Sequence, residues 1–144
     1  MLCYAALQGM VTRGTILVVD DEVDILEMIE VGLAAEGYTL VLAQSGAEAI
    51  ALFDAQPTDL VISDVKMPGL DGVATISHLR QIDADVPAIV LTGYLSPQTI
   101  EECNQLGGIQ MIRKPFAFRD LSNLVAVTIE RVRGSMSRAR QSSA

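Results

Sequence analysis

At 144 residues, half of them apolar and 4% aromatic, the chain is long enough for one domain with an aliphatic core and too short for two of ordinary size. A net charge of −8 argues against general nucleic-acid binding, and no charge-free stretch approaches the roughly 18–20 apolar residues of a membrane span. Cys3 and Cys103 are the two cysteines; they show neither metal-ligand spacing nor a disulfide framework, which points to a reducing cytoplasm.

Residues 1–14 carry no periodic pattern and read as a flexible extension, within which Met10 is a second candidate start. Thr15–Val19 is a continuous apolar run, as a strand buried on both faces requires, and it ends at Asp20-Asp21-Glu22. From Glu22 to Glu36, apolar residues at Ile25, Leu26, Ile29 and Leu33 follow the period of an amphipathic helix, closed by Gly37. Tyr38–Ala43 is a second strand. Ser45 and Glu48 have the spacing of a capping box and open a helix to about Ala55.

The third strand, Leu60–Ser63, leads into Asp64 and the turn-forming pairs Pro68-Gly69 and Asp71-Gly72. A helix follows over 72–82. Pro87–Leu91 is the fourth strand, ending at Thr92-Gly93. Ser96-Pro97 joins an N-cap to a first-turn proline and starts a helix that stops at Gly107-Gly108. Ile109–Ile112 is the fifth strand, followed by Arg113-Lys114-Pro115. The last helix spans about 119–133, and the polar residues 134–144 are expected to form a disordered tail. Seven of the ten basic residues lie at or after Arg113, which reads as a solvated terminal helix and tail.

Five short strands alternating with five helices specify an α/β, doubly wound fold with a parallel sheet over 15–133. In such a fold the strand carboxyl ends share one edge. Asp20 and Asp21 follow the first strand, Asp64 the third, Thr92 the fourth and Lys114 the fifth. Each alone has a bland role: an acid at a helix start, a turn residue, a surface lysine. Together they form a set. Three carboxylates at one point need a cation, and an all-oxygen set suits magnesium. Such an ion, a lysine and a hydroxyl would hold a phosphoryl group, and one carboxylate facing the phosphorus can act as nucleophile.

This pattern resembles the receiver domains of two-component response regulators. The resemblance covers about residues 15–133 and rests on Asp20-Asp21, Asp64, the loop from Lys66 through Met67-Pro68-Gly69-Leu70-Asp71 to Gly72, Thr92 and Lys114-Pro115-Phe116. It implies a flavodoxin-like sheet of order 2-1-3-4-5, an order that is the family's and not a reading of the residues. It implies that Asp64 accepts a phosphoryl group from the phosphohistidine of a histidine kinase or histidine phosphotransfer protein. Mg²⁺ would be bound by Asp21, Asp64 and the main-chain carbonyl of Lys66, with Asp20 acting mainly through water. Lys114 would pair with phosphoryl oxygens, Thr92 would swing toward them, and the Lys114–Pro115 bond would be cis.

Three positions depart from the family's habit. Met111 stands where an aromatic partner of the threonine movement is common, so Thr92 and Met111 form the expected coupling pair. Gly93 replaces a common alanine, and Ala117 replaces a capping Asp or Ser. His78 reads as a helix-surface residue and Cys103 as a small packed hydrophobe.

The leading expectation is a single-domain, cytoplasmic phosphoprotein, because about eleven residues after Arg133 hold no output domain. It is a monomer or a weak phosphorylation-dependent dimer that signals by partner binding or phosphorelay to an unknown downstream protein. It is no enzyme beyond its own phosphorylation and dephosphorylation. An aspartate-nucleophile phosphatase is the alternative, disfavoured by the lack of a cap region. A receiver-derived binding module that is not phosphorylated is a third reading, disfavoured by the full acid, threonine and lysine set.

Overall fold

The computed structural model describes the backbone of residues 12–142 and the side chains of residues 12–132. Five parallel strands, β1 Thr15–Val19, β2 Thr39–Ala43, β3 Leu60–Asp64, β4 Ala88–Thr92 and β5 Ile109–Arg113, pair in the order β2-β1-β3-β4-β5. Helices α1 Val23–Ala35, α2 Gly46–Ala55, α3 Gly72–Ile82, α4 Pro97–Leu106 and α5 Phe118–Ser142 connect and cover them. The expected doubly wound sheet and its order are both present.

Strand periodicity divides the core into two layers. Leu17, Val19, Val61 and Val90 point to the side of α2, α3 and α4, where they meet Phe53, Ile76 and Leu79. The alternating residues Ile16, Val18, Leu60, Ile62, Ile89 and Leu91 point to the other side, against Leu26, Ile29 and Leu33 of α1 and Leu121 and Val125 of α5. Each fully buried Leu, Ile or Phe contributes roughly 1.5–3 kcal/mol. Every residue of β3 and β4 is buried, whereas the edge strands β2 and β5 are half-exposed. The acidic and hydroxyl groups that end the central strands are therefore carried on the stiffest part of the fold.

The caps follow the sequence closely. Gly37, at φ 99°, ends α1: its N–H bonds the Ala34 carbonyl at 3.0 Å and the Tyr38 N–H bonds that of Leu33 at 3.3 Å. That pair of bonds is a Schellman closure, which only a left-handed residue permits without strain. Ser45 caps α2 by accepting from the Glu48 N–H at 3.1 Å, while Glu48 reaches back to the Gln44 N–H at 3.3 Å. Asp71 caps α3 through the Ala74 N–H at 2.8 Å, and Ser96 caps α4 through the Thr99 N–H at 3.1 Å.

At each end, the described residues carry more structure than the expected extension and tail. Residues 1–11 lie outside the described residues, but Thr12–Gly14 is docked and not a loose extension. Arg13 donates its main-chain N–H to the Gly37 carbonyl at 2.9 Å and its Nη1 to the Glu36 carbonyl at 3.2 Å, with its guanidinium 4.7 Å from the centre of the Tyr38 ring. A cation over an aromatic face at a helix C-terminus is favourable on both counts. At the other end, α5 continues to Ser142, so the tail expected to be disordered from 134 is helical through that residue. The stretch 134–142 contains no proline, and its single glycine at 134 weakens a helix without ending it. Among the described residues, no helix is long and apolar enough to cross a membrane.

Candidate functional site

The site forms where β1, β3, β4 and β5 end. Val19 is in register with Ser63, Asp64 with Leu91 and Thr92 with Arg113, so the groups just beyond each strand converge at one edge. Main-chain bonds complete this alignment: the Lys114 N–H reaches the Thr92 carbonyl at 2.8 Å and the Val65 N–H reaches that of Leu91 at 3.1 Å.

Carboxylate oxygens of Asp20, Asp21 and Asp64 lie within 4.8 Å of one another. Asp20 and Asp64 are buried and Asp21 is exposed, so the cluster opens to solvent on the side of Asp21. Lys114 Nζ stands 3.3 Å from Asp64 Oδ2 and 3.5 Å from Asp20 Oδ2. One ammonium against three carboxylates leaves a formal surplus of two negative charges. Like charges this close, two of them buried, are costly unless a cation joins them. The donors are hard oxygens, several on rigid strands, and this set fits a small divalent cation.

Burial pushes the Asp20 carboxyl above the usual carboxylate range, against the opposing pull of the Glu22 N–H and Lys114; the nearby Asp64 adds to the rise. For Lys114, burial is the largest single influence and lowers its pKa. The combined attraction of Asp20 and Asp64 outweighs it, and the ammonium is held above its ordinary value.

Thr92 is buried, and its hydroxyl is engaged away from Lys114: Oγ1 donates to the Tyr94 carbonyl at 2.8 Å and accepts from the Tyr94 N–H at 3.2 Å. A Cβ at Gly93 would meet open space. Lys66, two residues past Asp64, is exposed on the loop before α3. The Lys114–Pro115 bond is cis, as expected. Met111 lies on β5 opposite Val90 and is half-buried against the core layer of α2, α3 and α4. His78 is on the exposed face of α3 and Cys103 is buried on α4, neither of them part of the acidic cluster.

Two supporting groups escaped the sequence reading. Glu22 donates its main-chain N–H to Asp20 Oδ1 at 2.9 Å, the local bond an Asp two residues upstream habitually accepts, so a signal existed. Ser63 is fully buried and its hydroxyl donates to the Asp64 carbonyl at 2.9 Å, with no signal in the sequence to reveal it.

With this geometry in view, comparison with known proteins is decisive. The model of the response regulator receiver domain matches residues 16–126. The chain belongs to the response regulator receiver family. The receiver is 36% identical over 125 residues to the transcriptional regulatory protein PrrA of Mycobacterium tuberculosis, covering 87% of this chain and 53% of that protein. It is 34% identical over 106 residues to the transcriptional regulatory protein ZraR of Escherichia coli, covering 74% of this chain and 24% of that one. The receiver thus spans from a quarter to half of the length of these relatives.

Among solved structures, the receiver superposes on the chemotaxis protein CheY4 of Vibrio cholerae with a TM-score of 0.75 at 29% identity, over 79% of this chain and 97% of that one. It superposes on a CheY-like receiver domain protein of Methanospirillum hungatei with a TM-score of 0.81 at 26% identity, over 84% and 97% of the two chains. The fold is the CheY-like, flavodoxin-type receiver fold, and its place is in two-component signalling.

Proposed function

We propose that this receiver accepts a phosphoryl group on Asp64 from the phosphohistidine of a histidine kinase or histidine phosphotransfer protein. The observation that carries this reading is Lys114 Nζ, 3.3 Å from Asp64 and 3.5 Å from Asp20, beside the open acidic cluster. A carboxylate oxygen of Asp64 attacks phosphorus, the P–N bond breaks, and its electron pair remains on the imidazole nitrogen, which takes a proton from solvent. The product is an acyl phosphate. Lys114 supports the charge that gathers on the phosphoryl oxygens, and Asp20 holds Lys114 in place. Asp20, Asp21, Asp64 and the Lys66 carbonyl would hold Mg²⁺, which neutralises phosphoryl charge when bound.

Thr92 leaves its bond to Tyr94 to meet the phosphoryl group, and Met111 fills the space vacated in the core. The chemistry is confined to the chain's own phosphorylation and dephosphorylation, in the cytoplasm. Output is a phosphorylation-dependent contact with another protein, or onward transfer of the group. Acetyl phosphate with Mg²⁺ should add one phosphoryl mass to the wild type and none to Asp64→Asn, with EDTA abolishing the gain. Labelling that survives Asp64→Asn rules the assignment out.

A further inference from the structure

Arg80, near the C-terminal end of α3, takes no part in the acidic cluster. Its guanidinium donates from Nε to the Val86 carbonyl at 2.7 Å, from Nη1 to the Leu106 carbonyl at 3.1 Å and from Nη2 to the Gly108 carbonyl at 3.3 Å. Val86 leads into β4, Leu106 is the last residue of α4, and Gly108 leads into β5. One side chain therefore ties three segments together at the end of the sheet away from Asp64. The planar, five-donor fork of arginine suits this; a lysine ammonium is a point charge on a flexible stem. Burial lowers the Arg80 pKa, offset by Asp83 and Asp85, so the cation is partly withdrawn from water into this role.

The helix it ties is otherwise lightly held. Cys103 is the one buried residue of α4. Gly107 and Gly108, at φ 70° and 64°, turn the chain sharply after the helix and expose the carbonyls that Arg80 collects. At the opposite end, the hydrogen bonds among the described residues are local: Ser96 to Thr99 and Ile100, and Thr92 to Tyr94. Tyr94 is 61% exposed. A ten-residue helix is a rod about 15 Å long. Push one end of such a rod while the other is clamped, and it tilts.

We propose that Arg80 is a positioning residue that fixes the C-terminal end of α4, so that phosphorylation of Asp64 swings the N-terminal end of that helix about it. The proposal rests on the acceptor role given to Asp64 above and adds where the movement ends. The surface that changes is the loop bearing Tyr94 and the first turn of α4, while the turn between α4 and β5 stays in place. Without the guanidinium fork, the same push shifts the helix bodily.

Hydrogen exchange on the full chain tests this, with wild type, Arg80→Lys and Arg80→Ala each measured with and without beryllofluoride and Mg²⁺. Acetyl phosphate labelling of each protein runs alongside. In the wild type, exchange in 94–101 should change by about threefold or more and that in 104–110 should stay constant. In Arg80→Ala the change should reach 104–110, with Arg80→Lys intermediate and all three proteins still labelled. A merely structural role would raise exchange at 104–110 equally with and without beryllofluoride. That outcome overturns the proposal, as do equal changes at both ends of α4 in the wild type, or none at either end in a wild type that takes up the phosphoryl group. A wild type that takes up no phosphoryl mass defeats the acceptor reading itself, and the pivot with it.

Discussion

The α-carbon of Gly72 packs directly against the main-chain oxygen of Asp64, so closely that any side chain at 72 would overlap that oxygen. The Gly72 N–H also bonds the Val65 carbonyl at 2.8 Å. The first turn of α3 and the strand end that carries the acceptor are thus one rigid unit, with Asp71 capping the helix from the adjacent position.

Gly72→Ala is therefore expected to push α3 away from Asp64. Overpacking against backbone costs about 1–3 kcal/mol and cannot be relieved by a rotamer change. Chemical denaturation should show that loss, and acetyl phosphate labelling should slow beyond what reduced stability explains. An unchanged denaturation midpoint would show that the helix moves aside freely.

Lys114→Met removes the ammonium between Asp20 and Asp64. Loss of a charge aimed at a developing phosphoryl charge should slow acetyl phosphate labelling by about 100-fold or more. The acidic cluster, relieved of its competing cation, should bind Mg²⁺ several-fold more tightly by calorimetry. Weaker Mg²⁺ binding in this variant would mean that Lys114 orders the carboxylates instead of competing for them.

Asp20 makes stability depend on pH when metal is absent. Its pKa in the folded state is raised, chiefly by burial. The stability linked to it is then fully present below about pH 4 and is lost as pH rises through the raised value. In EDTA, Asp20→Asn should melt a few degrees above the wild type at pH 7, and the gap should close toward pH 4. Mg²⁺ should narrow or reverse the gap at pH 7 by stabilising the wild type more than the variant. A lower melting temperature for Asp20→Asn in EDTA at pH 7 would show that its bonds to Lys114 and the Glu22 N–H outweigh desolvation.

Arg13 closes the C-terminus of α1 through the Glu36 carbonyl and the Tyr38 ring. Arg13→Ala should cost about 1 kcal/mol, a fall of a few degrees in melting temperature, from the lost cation–π and helix-end contacts. Removing residues 1–11 alone should leave these contacts intact. An Arg13→Ala protein as stable as the wild type would show that main-chain bonds alone hold Thr12–Gly14 in place.

The sequence by itself determined the strands, the helices and the edge at which chemistry gathers. Runs such as Leu17-Val18-Val19 and Leu60-Val61-Ile62, bounded by turn residues and alternating with helical periods, fit strands buried on both faces, and a parallel sheet sends every strand's carboxyl end to one side. Caps such as Ser45, Ser96 and Gly37 are legible for the same reason: their partners lie within a few residues. Tertiary structure alone decided what depends on groups distant in the chain. The pairing of Lys114 with Asp20 spans 94 residues, and the fork of Arg80 reaches residues 6, 26 and 28 further on. The overlap that forbids a side chain at Gly72 and the docking of Arg13 at the end of α1 likewise depend on how the layers meet. Local pattern encodes the period and the ends of each element; it carries no record of which carbonyl or carboxylate a long side chain meets once the layers close.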